Sequence, residues 1–260
     1  MRLRLYQVDA FTSHVFGGNP AAVCPLDAWL PDGVLQSIAM ENNLSETAFV
    51  LREERGWQIR WFTPTQEMDL CGHATLAAAY ILFTRLAPGT ELLQLGSRSG
   101  PLRVKELEGG WLEMDFPARP PEPCEVPEGL VEALGAEPRE TLRSRDLVAV
   151  FDSEEQVRAL RPDMAKLGEL DLFSVVATAP GREAAFVSRF FAPRAGVPED
   201  PVTGSAHCSL VPYWAPRLGK TAMYAHQVSA RGGVLYCEDR GERVGISGQA
   251  VLYLEGYINV

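Results

Sequence analysis

Three segments of this 260-residue chain carry side chains suited to moving a proton. Asn43-Leu44-Ser45-Glu46-Thr47 sets a carboxylate where an apolar strand begins. If Glu46 points into a cleft, desolvation raises its pKa toward neutrality and fits it for proton transfer. At a strand boundary the same residue serves equally well as a solvated cap, with Ser45 in an ST-turn. Cys71-Gly72-His73 opens a second segment. A neutral imidazole in a first helical turn, near the positive end of the dipole, is expected to have its pKa pushed down and to act as donor or relay. The third segment is Glu199-Asp200-Pro201-Val202-Thr203-Gly204-Ser205. Asp200 precedes proline, so its backbone is biased to an extended form. It can orient an imidazole or a substrate amine, or, with Thr203, merely cap the helix that follows.

Gly72 and Gly204 each stand before a helix, where unbonded N–H groups and the dipole suit a carboxylate and glycine admits close approach. Taken singly, each glycine more readily just turns the chain; their pairing brings a site level with that reading. Cys71 invites a thiol-base reading, as in racemases with one thiol on each face of a carbon. The residue 132 positions on is Thr203, so a two-thiol mechanism lacks its second thiol. His207 reads as a structural histidine within a helix, and His14 and His226 take no role. Five cysteines at irregular spacing, with no CxxC, HExxH or HxH, argue against a disulfide framework and a metal site. There is no GxGxxG, no GxxxxGK[ST] and no lysine placed for a Schiff base, so no cofactor is expected.

The elements that must position these groups follow from pattern. Leu3–Val8 alternates as a strand, and Gly17-Gly18-Asn19-Pro20 marks a turn before the apolar strand Ala21-Ala22-Val23. Pro31-Asp32 opens a helix with Leu35, Ile38 and Ala39 on its apolar face. Residues 47–51 and 57–62 read as a hairpin pair. His73–Phe83 is apolar on every face, which marks a helix wrapped by protein. Residues 92–116 are strand-rich, and the proline-dense 116–123 is the best linker candidate.

The second half echoes the first. Arg60-Trp61-Phe62-Thr63-Pro64 recurs as Arg189-Phe190-Phe191-Ala192-Pro193, and Leu70–Ala74 is answered by Val202–Ala206. An internal duplication is expected, with Pro212 and Pro216 shortening or kinking the second helix. Two lobes follow, residues 1–118 and 119–260, the last strand being free to pack back on the first lobe.

Hydrophobic residues make up 46% and charged residues 22%, which fits a packed chain rather than a disordered one. A net charge of −10, without a Lys/Arg stripe, argues against nucleic acid and leaves a small anionic substrate open. No apolar run nears the ~20 residues a bilayer needs. The N-terminus lacks a signal-peptide core, so a cytoplasmic setting with reduced thiols is expected.

Six ordered motifs now resemble the PhzF-like (phenazine biosynthesis-like) isomerase family, related in fold to diaminopimelate epimerase. They are Val8-Asp9-Ala10-Phe11-Thr12 with Gly18-Asn19-Pro20, Asn43–Thr47, Phe62-Thr63-Pro64, Cys71-Gly72-His73-Ala74-Thr75 and Glu199–Ala206. The resemblance implies an α+β fold of two pseudo-symmetric lobes, each a β-barrel-like sheet around a central helix. It further implies an active site between the lobes, a homodimer and no cofactor. It gives Glu46 the role of proton shuttle, matches His73, and gives Asp200 and Ser205 the holding and polarising of substrate. Gly72, Gly204 and Asn19 are carried as further substrate-binding positions. The residues around Gly72-His73 depart from those of the phenazine enzyme, so reaction type is better supported than substrate. The leading expectation is a cofactor-independent isomerase of a carboxylate-bearing metabolite. The alternatives are a thiol-dependent racemase or epimerase using Cys71, and a non-catalytic small-acid-binding protein.

Overall fold

A computed structural model gives the structure of the chain, describing residues 1–54 and 56–260. It is α+β and divides into two units, Met1–Asp115 with Ser247–Val260, and Phe116–Ile246.

The first unit begins with β1 (Arg2–Ala10), β2 (Asn19–Leu26) and helix α1 (Asp32–Asn42). β3 (Glu46–Glu53), β4 (Gly56–Phe62) and β5 (Glu67–Met68) lead into α2 (Gly72–Ile81). β6 (Leu92–Ser97), β7 (Gly100–Glu106) and β8 (Leu112–Pro117) follow. β2 and β3 run parallel, as the intervening α1 requires, and β3 pairs antiparallel with β4. β4 pairs antiparallel with β5 and parallel with β6.

Nine of the ten α2 residues are buried, Tyr80 being the exception. The helix packs against β1, β2 and β3, and its alanines let the strands approach closely. Burial of Leu76 and Ile81 contributes roughly 1.5–3 kcal/mol each. A separate cluster of Leu35, Ile38, Phe49 and Phe62 seats α1 on the sheet.

In the second unit β9 (Glu122–Pro123), α3 (Leu130–Leu134), β10 (Glu140–Arg143) and β11 (Leu147–Val150) precede the short helices α4 (Glu154–Ala159) and α5 (Met164–Glu169). β12 (Val175–Pro180), β13 (Phe186–Ala192) and β14 (Val197–Asp200) lead into α6 (His207–Leu218). β15 (Ala222–Gln227), β16 (Gly233–Asp239) and β17 (Arg243–Gly248) follow. The pairing scheme of the first unit recurs step for step: β11 parallel to β12, β12 antiparallel to β13, β13 antiparallel to β14 and parallel to β15. The chain ends in β18 (Ala250–Asn259), antiparallel to β1 from Arg2–Asn259 to Ala10–Ala250.

One expectation from the sequence is corrected here. Pro212 and Pro216 do not shorten the second helix, since α6 runs twelve residues against ten in α2. Pro212 has no N–H to offer the Cys208 carbonyl, and the Arg119 N–H takes its place at 2.8 Å. The same bond, with Ala118 N–H to Glu242 O at 2.9 Å, fastens the proline-dense stretch to the second unit. The boundary between the two units, Asp115/Phe116, falls at the start of this stretch.

Candidate active site

In the first unit, strand register brings the key side chains together. Glu46 is the first residue of β3 and stands opposite Ala21 of β2. Asn19 lies two residues before Ala21, hence on the same face. The first turn of α2 adds Cys71 as N-cap and His73 behind it. Glu46 Oε2 is 3.0 Å from His73 Nε2, and both atoms are buried. On the other side of the ring, Asn19 Nδ2 is 3.1 Å and Cys71 Sγ 3.6 Å from His73 Nδ1. The Gly72 and His73 N–H groups, in the first turn of α2, have no intrahelical acceptor, and the Cys71 side chain does not cap the helix.

Burial alone would depress the His73 imidazole, but the Cys71 sulfur and the Glu46 carboxylate outweigh it and hold its pKa well above the ordinary value. This corrects the expected fall. The dipole at the helix start is a weaker influence than a carboxylate at 3.0 Å. The imidazolium donates from both nitrogens, so Asn19 then presents its amide oxygen to Nδ1. A neutral ring with its proton on Nε2 receives the amide N–H instead. Either way Asn19 fixes the ring plane. Burial, reinforced by Glu46, pushes the Cys71 thiol up to about 11, so near neutral pH it is protonated.

The His73 shift has a thermodynamic consequence. Its folded pKa lies above the ordinary 6.5, so the stabilisation is complete below about pH 6.5 and is lost as pH rises through the folded value. Urea unfolding of wild type, compared with His73→Gln, is expected to show an advantage that shrinks from about pH 6.5 upward. A wild-type advantage that grows with pH would contradict the pairing.

Glu46, Cys71 and His73 each have a potential ligand atom within 4.8 Å of the others, the grouping among the described residues with metal-ligand chemistry. Their arrangement fits a metal poorly. Glu46 faces Nε2 and Cys71 faces Nδ1, opposite edges of one ring, so a single ion would not meet all three along their present directions.

In the second unit Asp200 ends β14, extended as expected, and is buried. The Thr203 hydroxyl donates to Asp200 Oδ2 and does not itself cap the following turn. Gln227, which the sequence did not mark, clamps the segment. Its Oε1 accepts from Thr203 N at 2.8 Å and its Nε2 donates to Asp200 O at 2.7 Å. Gly204 and Ser205 lie in a 3-10 turn ahead of α6. His207 is the first residue of α6, its Nδ1 2.9 Å from Thr203 O. Burial lowers its pKa to about 4, which keeps it neutral, in line with a structural role.

A pair of arginine–carboxylate forks also escaped the sequence reading. Arg60 grips Glu67 at 2.7 and 2.8 Å, and Arg189 grips Glu199 at 2.8 and 2.9 Å. Each glutamate stands four residues before the N-cap of its glycine-led turn, Cys71 or Thr203. The recurring Arg-aromatic-Phe motif held half of this signal; the glutamates, 132 positions apart, held the rest.

The model of the PhzC-PhzF family, phenazine biosynthesis-like protein, matches residues 8–256. The chain belongs to this family. An uncharacterized isomerase of Pseudomonas aeruginosa is 55% identical to it over 260 residues, covering all of both chains. The crystal structure of a PhzF-family protein from Enterococcus faecalis superposes with a TM-score of 0.96 at 47% identity, again covering all of both chains. A predicted epimerase from Pseudomonas aeruginosa shares the fold, with a TM-score of 0.75 at 21% identity over 99% of each chain. The α+β fold of this chain is that of its family members. No described helix is long and apolar enough to cross a membrane.

Proposed function

We propose that this protein is a cofactor-independent isomerase that shifts a proton on a small carboxylate-bearing metabolite, with Glu46 as the acid/base residue. The observation that carries the reading is the ion pair of Glu46 Oε2 with buried His73 Nε2 at 3.0 Å. One carboxylate oxygen is held by the ring, leaving Oε1 to take a proton from carbon and return it elsewhere. His73 balances the charge as that proton comes and goes, and Asn19 keeps the ring in plane. The N–H groups of Gly72 and His73 are suited to a substrate carboxylate. Asp200, Gly204 and Ser205 are proposed to hold substrate, on the strength of the family resemblance. Action as a homodimer in the cytoplasm belongs to the same proposal, as does an origin by duplication, which the repeated pairing scheme and the two Arg–Glu forks support.

The test is incubation with a pooled set of carboxylic-acid metabolites in heavy water, read by mass spectrometry. Deuterium uptake at carbon in one component supports the reading. Saturable binding of a component with no exchange in any would favour a binding protein instead.

The thiol alternative has its own readout. With its pKa at about 11, Cys71 is a poor thiolate at neutral pH. Cys71→Ala is expected to keep turnover within about tenfold of wild type, less than the loss of an acid/base group. Abolished exchange in a folded Cys71→Ala protein would restore the thiol mechanism.

A further inference from the structure

Beside Ser205 the second unit holds an arginine that none of the six motifs includes. Arg145 Nη2 donates to Ser205 Oγ at 3.1 Å. Its Nε and Nη2 also grip Asp146 at 3.0 and 3.2 Å. Asp146 is 2% exposed and takes a further hydrogen bond from Ser174 Oγ at 2.6 Å. The guanidinium is therefore aimed from behind by a carboxylate turned into the protein. Phe173, 42% exposed, lies beside it, with the Arg145 Cζ 5.1 Å from the ring centroid. Nη1 of Arg145 makes no hydrogen bond among the described residues and remains available to a ligand.

A second arginine stands on the segment that bonds to α6. Arg119 is bonded through its N–H to the Cys208 carbonyl, one helical turn beyond Ser205, and has no ion pair among the described residues. Arg119 and Arg145 both pull down on the Cys208 thiol, against a burial that holds it at about 11. Asp146 pairs with Arg145, whereas Arg119 has no ion-pair partner among the described residues of a chain of net charge −10. Arginine presents a planar fork that matches a carboxylate, and a half-buried unpaired guanidinium is disfavoured unless an anion completes it.

We propose that Arg145, Arg119 and the Ser205 hydroxyl form a binding site for a carboxylate of the substrate, with Asp146 and Ser174 as positioning residues. The inference rests on the reading of Ser205 as a substrate-holding residue and extends it. The preferred substrate is an acid with an anionic group to spare for arginine.

The test uses the whole protein, with succinate as probe and inorganic phosphate as the competing anion. Thermal unfolding is followed against anion concentration at low ionic strength. Arg145→Gln is avoided, because it would strand the buried Asp146 carboxylate. Arg119→Gln removes no ion pair, and Arg145→Lys keeps the charge while losing the fork. Wild type is expected to show saturable stabilisation by succinate. Losing a charge-assisted hydrogen bond should raise the half-saturating concentration about tenfold in Arg119→Gln and severalfold in Arg145→Lys. Arg158→Gln, whose partner Glu154 lies on α4, should match wild type. Half-saturation unchanged in both site variants, no response of wild type to succinate, or tighter binding of phosphate would each overturn the proposal. Glu46→Gln separates the two readings. It should bind succinate as wild type does, so failure of the proton-transfer role leaves this site standing, and the converse.

Discussion

Glu46→Gln is expected to lower substrate-dependent deuterium uptake by about 10²- to 10⁴-fold while leaving the fold intact, the range over which a positioned acid/base group acts. The substitution keeps the size and shape of the side chain where β3 begins, so the pairing of residue 46 with Ala21 is undisturbed. It removes the group that accepts the proton. It also removes one of the charges that hold His73 above its ordinary pKa. An NMR titration of His73 should therefore move downward in the variant, a change that a merely structural glutamate at an exposed cap would not cause. The two readouts separate chemistry from folding: lost exchange with a native unfolding midpoint and a lowered His73 pKa supports the assignment. Exchange near the wild-type rate in the folded variant would remove Glu46 from the mechanism. The charge change also fixes the sign for stability. Without its carboxylate partner, His73 returns toward neutrality on burial, so the pH-dependent advantage that wild type holds below about pH 6.5 should be smaller in Glu46→Gln.

Much of this arrangement is written locally, and the rest is not, for identifiable reasons. The all-round apolar run after Gly72 announced a helix enclosed by protein, and α2 has nine buried residues. The Gly18-Asn19-Pro20 turn and the Asn43–Thr47 segment marked two strand beginnings that register then places side by side, with Ala21 opposite Glu46. The state of His73 was misjudged because it depends on a partner twenty-seven residues earlier in the chain. A local argument sees the dipole; it does not see the carboxylate. The persistence of α6 through Pro212 was hidden for the same kind of reason, since its stranded carbonyl is satisfied by Arg119 from a distant segment. Gln227 gave no signal at all. A lone glutamine at the end of β15 becomes a clamp on Thr203 and Asp200 only through tertiary packing. The Arg60–Glu67 and Arg189–Glu199 forks stand between these extremes. Their arginines recur in a recognisable motif, but the pairing itself needs β4 laid against β5 and β13 against β14.

Gly18→Ala is expected to be the most damaging single-methyl change near the first-unit cluster. Gly18 has φ +60°, and a Cβ there would lie 2.1 Å from the Ala10 carbonyl oxygen and 2.9 Å from Thr12 Cγ2. The first obstacle is backbone of β1, which no rotamer change can relieve. Left-handed strain costs about 1–2 kcal/mol and overpacking a further 1–3, so a loss of ~3 kcal/mol in unfolding free energy is expected. Relief requires Gly18 to move away from Ala10, and the next residue is Asn19, which pairs with Ala10 in the sheet and holds the His73 ring through its amide. Activity should therefore fall further than stability predicts, by roughly a hundredfold even at temperatures where the variant is folded, because small displacements of positioned groups are costly. Gly33→Ala is the matched control. Gly33 lies in the first turn of α1, where an added Cβ meets nothing within 4 Å, so stability should be unchanged or rise by about 0.4–1 kcal/mol with activity intact. Equal behaviour of the two variants in urea unfolding and in exchange would show that the turn before Asn19 is not the rigid support on which the His73–Glu46 geometry depends.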